Sequence, residues 1–141
     1  MSSKSLASLL LALASCAFIA GPAHARSLVP IVNQSDVAVV TSSGKAPGKE
    51  QVKQIIMTGA AARGWTVAEQ ADGKLLATVM VRGKHSISVL MDYAPGKYSL
   101  AYHNSMGMNY DQQGGQPVIH PKYNTWVQNL QEAIRAAALK R

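Results

Sequence analysis

The sequence predicts an α+β domain: a four-stranded antiparallel meander with one helix before it and one after it, both packed on the same face, and a candidate extra edge strand near the N-terminus. Three observations carry this. Residues 65–104 run in short stretches of alternating apolar and polar residues, punctuated by Asp72-Gly73, Gly83-Lys84 and Pro95-Gly96. Residues 49–63 and 123–137 repeat apolar side chains at helical spacing. The alternation in the strands leaves one side of the sheet apolar, and the two helices are there to cover it.

The chain divides into an export segment (1–25), an extended N-terminal stretch (26–48) and a single domain (49–141). Lys4 precedes the apolar run Leu6 to Ala20, and Ala23-His24-Ala25 supplies small residues for cleavage after Ala25. The run falls short of the ~20 apolar residues that span a bilayer. This pattern predicts a periplasmic or secreted protein. An alternative uses Leu13-Ala14-Ser15-Cys16, which matches a lipobox and predicts a lipoprotein anchored through Cys16. Cleavage after Ala25 also removes the only cysteine, so no disulfide is expected and the core must hold the fold. The formal charge of +7 is scattered along the chain. That favours weak association with an anionic membrane surface and argues against a nucleic-acid partner.

In the N-terminal stretch, Asp36 to Thr41 is short and valine-rich and reads as the edge strand, while Pro30 keeps the preceding run out of a central ladder. The first helix carries Val52, Ile55, Ile56, Gly59 and Ala60 on one stripe. Gly59 and the alanines after it keep the stripe shallow, predicting close approach to the sheet. Gly64 is placed for a left-handed C-terminal cap.

Turn lengths in the meander follow from face agreement, because a one-residue slip sends a strand's whole apolar set to water. Loops of three residues, Ala71-Asp72-Gly73 and Arg82-Gly83-Lys84, and an even loop, Ala94-Pro95-Gly96-Lys97, put one set on the covered side. That set is Trp65, Val67, Leu75, Ala77, Val79, Val81, Ile87, Val89, Met91, Leu100 and Tyr102. The other side is wet, with Thr66, Thr78, Ser88, Asp92 and Ser99. On it, Met80, Arg82, Leu90 and His103 form a candidate ligand or partner surface. His85 reads as a half-buried strand-end residue.

Ser105 to Pro121 is a long connection with Gly114-Gly115 as its flexible part. Pro121 opens the second helix. Its largest apolar group, Trp126, is expected to be buried, so that Trp126→Ala would cost about 3–5 kcal/mol.

Chemistry is sparse. No G-x-S-x-G, phosphate-binding glycine loop or H-E-x-x-H occurs, and no cysteine remains after export. Asp92 and His103 fall on one sheet face but several residues apart, as ordinary surface groups. The sharpest candidate is a soft-metal site: His103, Met106 and Met108, with His120 as a fourth ligand, offer imidazole and thioether donors suited to Cu(I). No cofactor is otherwise implied.

Ile119-His120-Pro121-Lys122-Tyr123-Asn124-Thr125-Trp126-Val127-Gln128-Asn129-Leu130 resembles the I-H-x-x-Y-N-x-W-V-x-N-L pattern of a family of small exported bacterial proteins. Val52 to Trp65 and Tyr102 to Tyr110 share in the resemblance. It implies an α+β envelope domain without an established activity. It also singles out Tyr123, Asn124, Trp126 and Asn129, with Tyr123 and Trp126 facing the sheet and Asn124 pinning residues 105–121. The family does not carry methionine at both 106 and 108, which counts against copper. The expectation is a non-enzymatic envelope domain that binds a partner or small ligand or acts structurally. A soft-metal carrier and an enzyme of unrecognised type are the alternatives.

Overall fold

A computed structural model describes residues 27–141; residues 1–25, where an export segment is expected, and with them Cys16, lie outside the described residues. In chain order the elements are β1 (Val29–Pro30), β2 (Gln34–Ala38), α1 (Lys49–Ala62), β3 (Thr66–Glu69), β4 (Leu75–Val81), β5 (His85–Ala94), β6 (Lys97–Met106), β7 (Asp111–Gln113), β8 (Gln116–Ile119) and α2 (Lys122–Leu139).

Helix α1 buries the stripe its spacing predicts, Val52, Ile55, Ile56, Gly59 and Ala60. It ends in a Schellman turn: with Gly64 at φ +74°, the Gly64 N–H donates to Ala61 O (3.1 Å) and the Trp65 N–H to Ala60 O (3.0 Å). That turn drops Trp65 into the core just ahead of β3.

The meander has the register that face agreement selects. Val67 pairs with Ala77 and Glu69 with Leu75, and the Gly73 N–H closes the Ala71-Asp72-Gly73 loop onto Gln70 O (3.0 Å). Val81 pairs with His85 around Arg82-Gly83-Lys84. The third turn is tighter than expected, since Ala94 pairs with Lys97 and leaves only Pro95-Gly96 in the bend. Parity is unchanged, so Met91 still faces Leu100 and Val89 faces Tyr102.

The architecture is larger than a four-stranded meander. Among the described residues there are two sheets, one of five strands in the order β2-β6-β5-β4-β3 and one of three in the order β1-β8-β7. Strand β2 adds to β6 as the edge strand, two residues earlier than its valine run suggests. The second sheet replaces what reads in sequence as a loop: β6 runs on to Met106, and residues 111–119 form a hairpin. Gly114 and Gly115, at φ +59° and +78°, make its two-residue turn, a geometry that favours glycine at both positions. Pro30 sits in β1 at the sheet edge, as its missing N–H requires.

A register shift in β6 separates Val89–Tyr102 from Ser88–Asn104 and leaves His103 unpaired in a bulge. Beyond it the faces exchange. Ser105 lies opposite Ile87, and Met106 lies opposite Ser86 on the uncovered side.

Both helices close over one face of the larger sheet, sealing Leu75, Ile87, Val89 and Met91 against Ile55, Ile56, Leu130 and Ile134. Two expectations change here. The bare face of Gly59 meets the second helix rather than the sheet: a Cβ added there would lie 2.6 Å from Ile134 Cα. The fully buried aromatic of α2 is Tyr123, whereas Trp126 is only half-buried. Trp126→Ala should therefore cost less than the sequence alone suggests.

Candidate functional site

A cleft of about 430 Å³ opens where the β4–β5 turn meets the N-terminal end of α2. It is lined by Val81, Arg82, His85, Met108, His120, Lys122 and Trp126. Each is placed by a specific local feature.

Arg82 stands in the turn at φ +53°, a left-handed conformation that a non-glycine residue adopts at a cost of about 1 kcal/mol. Gly83 beside it, at +64°, is the ordinary tenant of such a position. His85 opens β5, and its Nδ1 lies 2.8 Å from the carbonyl oxygen of Gly107. A carbonyl only accepts, so Nδ1 carries the hydrogen and the Nε2 of the neutral ring keeps its lone pair. Gly107 makes this approach feasible: at φ +71°, a Cβ on it would lie 2.5 Å from Lys84 O and 3.0 Å from His85 Nδ1.

Met108 turns inward and is buried in the core cluster. Its carbonyl accepts the His120 N–H at 2.9 Å, tying the segment after β6 to the end of β8. The Lys122 N–H donates to His120 Nδ1 (3.1 Å), which puts the hydrogen of the neutral His120 ring on Nε2. The Tyr123 N–H is held by His120 O (3.0 Å). Helix α2 thus begins inside the cleft, its first N–H groups held by His120 and no acidic residue in its first turn to offset the positive end of its dipole. Trp126, one turn further on, supplies an apolar wall with Val81.

The cleft is electropositive by omission as well as by content. Three carboxylates are paired elsewhere: Asp36 with Lys97 (3.0 Å), Asp92 with Lys74 (3.5 Å) and Glu69 with Lys53 (2.8 Å). No lining residue is acidic, and among the described residues no ion pair includes Arg82 or Lys122.

A second groove of similar size, also about 430 Å³, runs between β2 and the C-terminal half of α2. Its walls are chiefly the apolar Val37, Val39, Ile134, Ala138 and Leu139, and its polar lining residues, Tyr98, Gln131, Glu132 and Arg135, include an acidic one. Burial pushes the Tyr98 hydroxyl up to about 12, with a bond to Gln131 acting the other way. Burial also pushes Tyr123 upward, helped by Tyr102, and its hydroxyl has no hydrogen-bond partner among the described residues.

The residues singled out by sequence fall in different places. Arg82 lines the cleft. Met80 is exposed and Leu90 half-buried on the uncovered sheet face, where Ala68, Leu76, Leu90 and Ala101 form one cross-strand row. His103 is exposed at the bulge. Of the proposed copper ligands, Met108 and His120 share the cleft, whereas His103 and the exposed Met106 do not line it. Among the described residues no group of three or more His, Cys, Asp or Glu side chains is placed to hold a metal ion.

Tyr123 does face the core, edge-on to Tyr102 at 5.6 Å, and Tyr102 stacks on Tyr110 at 4.9 Å. Asn124 pins a different segment from the one expected: its side chain donates to Pro30 O (2.9 Å) and accepts from the Val32 N–H (3.2 Å). It therefore anchors the N-terminal stretch, not residues 105–121. His85 opens β5 half-buried, as the sequence reading has it. Lys122 is the charged lining residue that reading did not single out, its only signal being its place just after Pro121 at the start of the helix.

No family model, curated protein or solved structure matches the chain. No helix among the described residues is long and apolar enough to cross a membrane.

Proposed function

We propose that the chain is an exported envelope domain of the non-enzymatic binding kind, and that its ligand is a small oxyanion, a phosphate or carboxylate, held in the cleft at the start of α2. The observation that carries this reading is the convergence of Arg82, Lys122, His85 and His120 on one hollow without a lining carboxylate. Arg82 offers a planar fork to two oxygens and Lys122 a point charge, and the rings of His85 and His120 complete the polar lining. Trp126 and Val81 give the remainder of the ligand an apolar wall. No hydroxyl, thiol or carboxylate stands among these residues to attack what they hold, which supports holding over covalent turnover. The export pattern of residues 1–25 and the resemblance of residues 119–130 to small exported bacterial proteins support placing that function in the envelope.

Calorimetry with inorganic phosphate and phenyl phosphate at low ionic strength tests this. Saturable binding is expected, tighter for phenyl phosphate, and weakening as salt rises. Asparagine tolerates the left-handed turn better than arginine does, so Arg82→Asn should leave the melting temperature unchanged or higher. It should nonetheless weaken binding about tenfold. Absence of saturable binding to both probes, or an Arg82→Asn protein that binds like its parent, overturns the reading.

One observation favours the soft-metal alternative: Met108, His85 and His120 line the same cleft. The Nδ1–H bond of His85 to a backbone carbonyl is the arrangement that orients histidine ligands. His120 decides against it, because a ring accepting the Lys122 N–H on Nδ1 presents a hydrogen, not a lone pair, on Nε2. Tight Cu(I) binding lost in Met108→Leu would reverse this order.

A further inference from the structure

The cleft does not end at Trp126. A smaller hollow of about 180 Å³ shares that ring as a wall and is lined by Arg63, Trp65, Val79, Val81, Trp126 and Asn129. Val81 and Trp126 belong to both, so the two hollows adjoin along the seam between the helices and the edge of the sheet. Each carries an arginine from a turn: Arg82 follows β4, and Arg63 caps the C-terminus of α1. Arg63, like Arg82, enters no ion pair among the described residues, and no acidic residue lines the second hollow. Asn129 adds a side-chain amide beside it. The middle of the combined groove is apolar, formed by Val79, Val81 and the two tryptophans.

Cationic ends around a flat apolar centre define a shape of ligand. We infer that the groove takes an elongated bis-anionic molecule, with one oxyanion at Arg82 and Lys122, a planar apolar body against Trp126, and a second oxyanion at Arg63 and Asn129. This rests on the oxyanion reading of the first hollow and adds a second anion subsite to it. Arg63 has a natural place for such work. It sits one residue before the left-handed Gly64, and the backbone of that cap is held by Ala60 and Ala61 carbonyls, so the arginine side chain is not needed for the turn.

Calorimetry with matched pairs of probes tests it: benzoate against terephthalate, and biphenyl carboxylate against biphenyl dicarboxylate. In at least one pair the dianion is expected to bind about tenfold more tightly than its monoanion. Arg63→Gln should remove that difference while leaving the monoanion's Kd in place, and Arg63→Lys should restore part of it. Arg82→Asn should weaken both members of a pair. Monoanion binding with no dianion preference in either pair overturns the second subsite and leaves the first intact. A preference that survives Arg63→Gln overturns the assignment to Arg63. If none of these carboxylates binds while phosphate does, the second subsite is overturned; if phosphate and phenyl phosphate fail as well, the oxyanion reading itself fails, which is a different result. Melting temperatures of the Arg63 variants, expected within about 2 °C of the parent, separate lost binding from lost structure.

Discussion

The two halves of α2 are one continuous helix built for opposite purposes. Its C-terminal half is pressed onto α1 so closely that Gly59 has no room for a methyl group against the Ile134 backbone. Its N-terminal half, from Lys122 to Trp126, stands off from the β4–β5 turn and leaves a cleft large enough for a small molecule. In the first half small residues, Ala133, Ala137 and Ala138, bring backbones together. In the second, large and charged side chains hold space open. The C-terminal half is tight only on its α1 side, since its other flank borders the largely apolar groove beside β2, whereas the N-terminal half turns positive side chains toward its cleft.

The largest effect that would break this contrast is Gly59→Ala. A methyl at 2.6 Å from Ile134 Cα meets backbone, which cannot swing aside like a side chain, so the helices must separate. The gain in helix propensity of about 1 kcal/mol offsets only part of that cost. We expect a net loss of about 2 kcal/mol in urea unfolding at neutral pH. A variant as stable as the parent would show that the helical seam is looser than its geometry implies.

Trp126→Ala probes the other half and should be milder for stability than for binding. A half-buried indole contributes about 1–2 kcal/mol, below the ~3–5 kcal/mol lost when a fully buried aromatic is truncated. Phenyl phosphate binding should fall while inorganic phosphate binding is nearly retained, because the ring serves the apolar part of the ligand. Equal loss of both probes would place Trp126 in the fold rather than in the site.

Much of the covered face was legible because a period of two leaves little freedom. Once Leu75, Ala77 and Val79 face inward, only loops of the right parity keep Trp65, Ile87 and Val89 with them, and the register follows. The β7–β8 hairpin left no such trace. Its residues Asp111-Gln112-Gln113 and Gln116-Pro117 do not alternate, and Pro117 argues against a strand by any local rule. The His103 bulge was hidden for a related reason: one inserted residue changes which side Met106 faces without altering the composition around it. The cleft depends on those same unmarked features. His85 and His120 line one cleft because the hairpin returns to the start of α2 beside the β4–β5 turn. Arg82 was visible as a turn residue, but its left-handed backbone was not.

The smallest effect, and the sharpest on the contrast, concerns two buried tyrosines, one beside each half of α2. Tyr98 bonds Gln131 in the middle of the helix, while the hydroxyl of Tyr123 in its first turn has no partner among the described residues. At neutral pH Tyr98→Phe should therefore cost about 1 kcal/mol, for the hydrogen bond it gives up. Tyr123→Phe should be within about 0.5 kcal/mol of neutral or slightly stabilising, since it removes a polar atom that gained nothing by folding. At high pH both behave alike. Burial raises each phenol above its ordinary 10, so the folded state favours the neutral ring. For Tyr98 the associated stability is fully present below pH 10 and is lost as pH climbs through about 12. Replacing Tyr98 by phenylalanine should flatten the parent's alkaline decline over that window, read from urea midpoints across the pH series. An alkaline decline unchanged in both single variants and in the double variant would mean that neither phenol is held neutral by burial. The two halves of the helix would then be equally open to water at these positions.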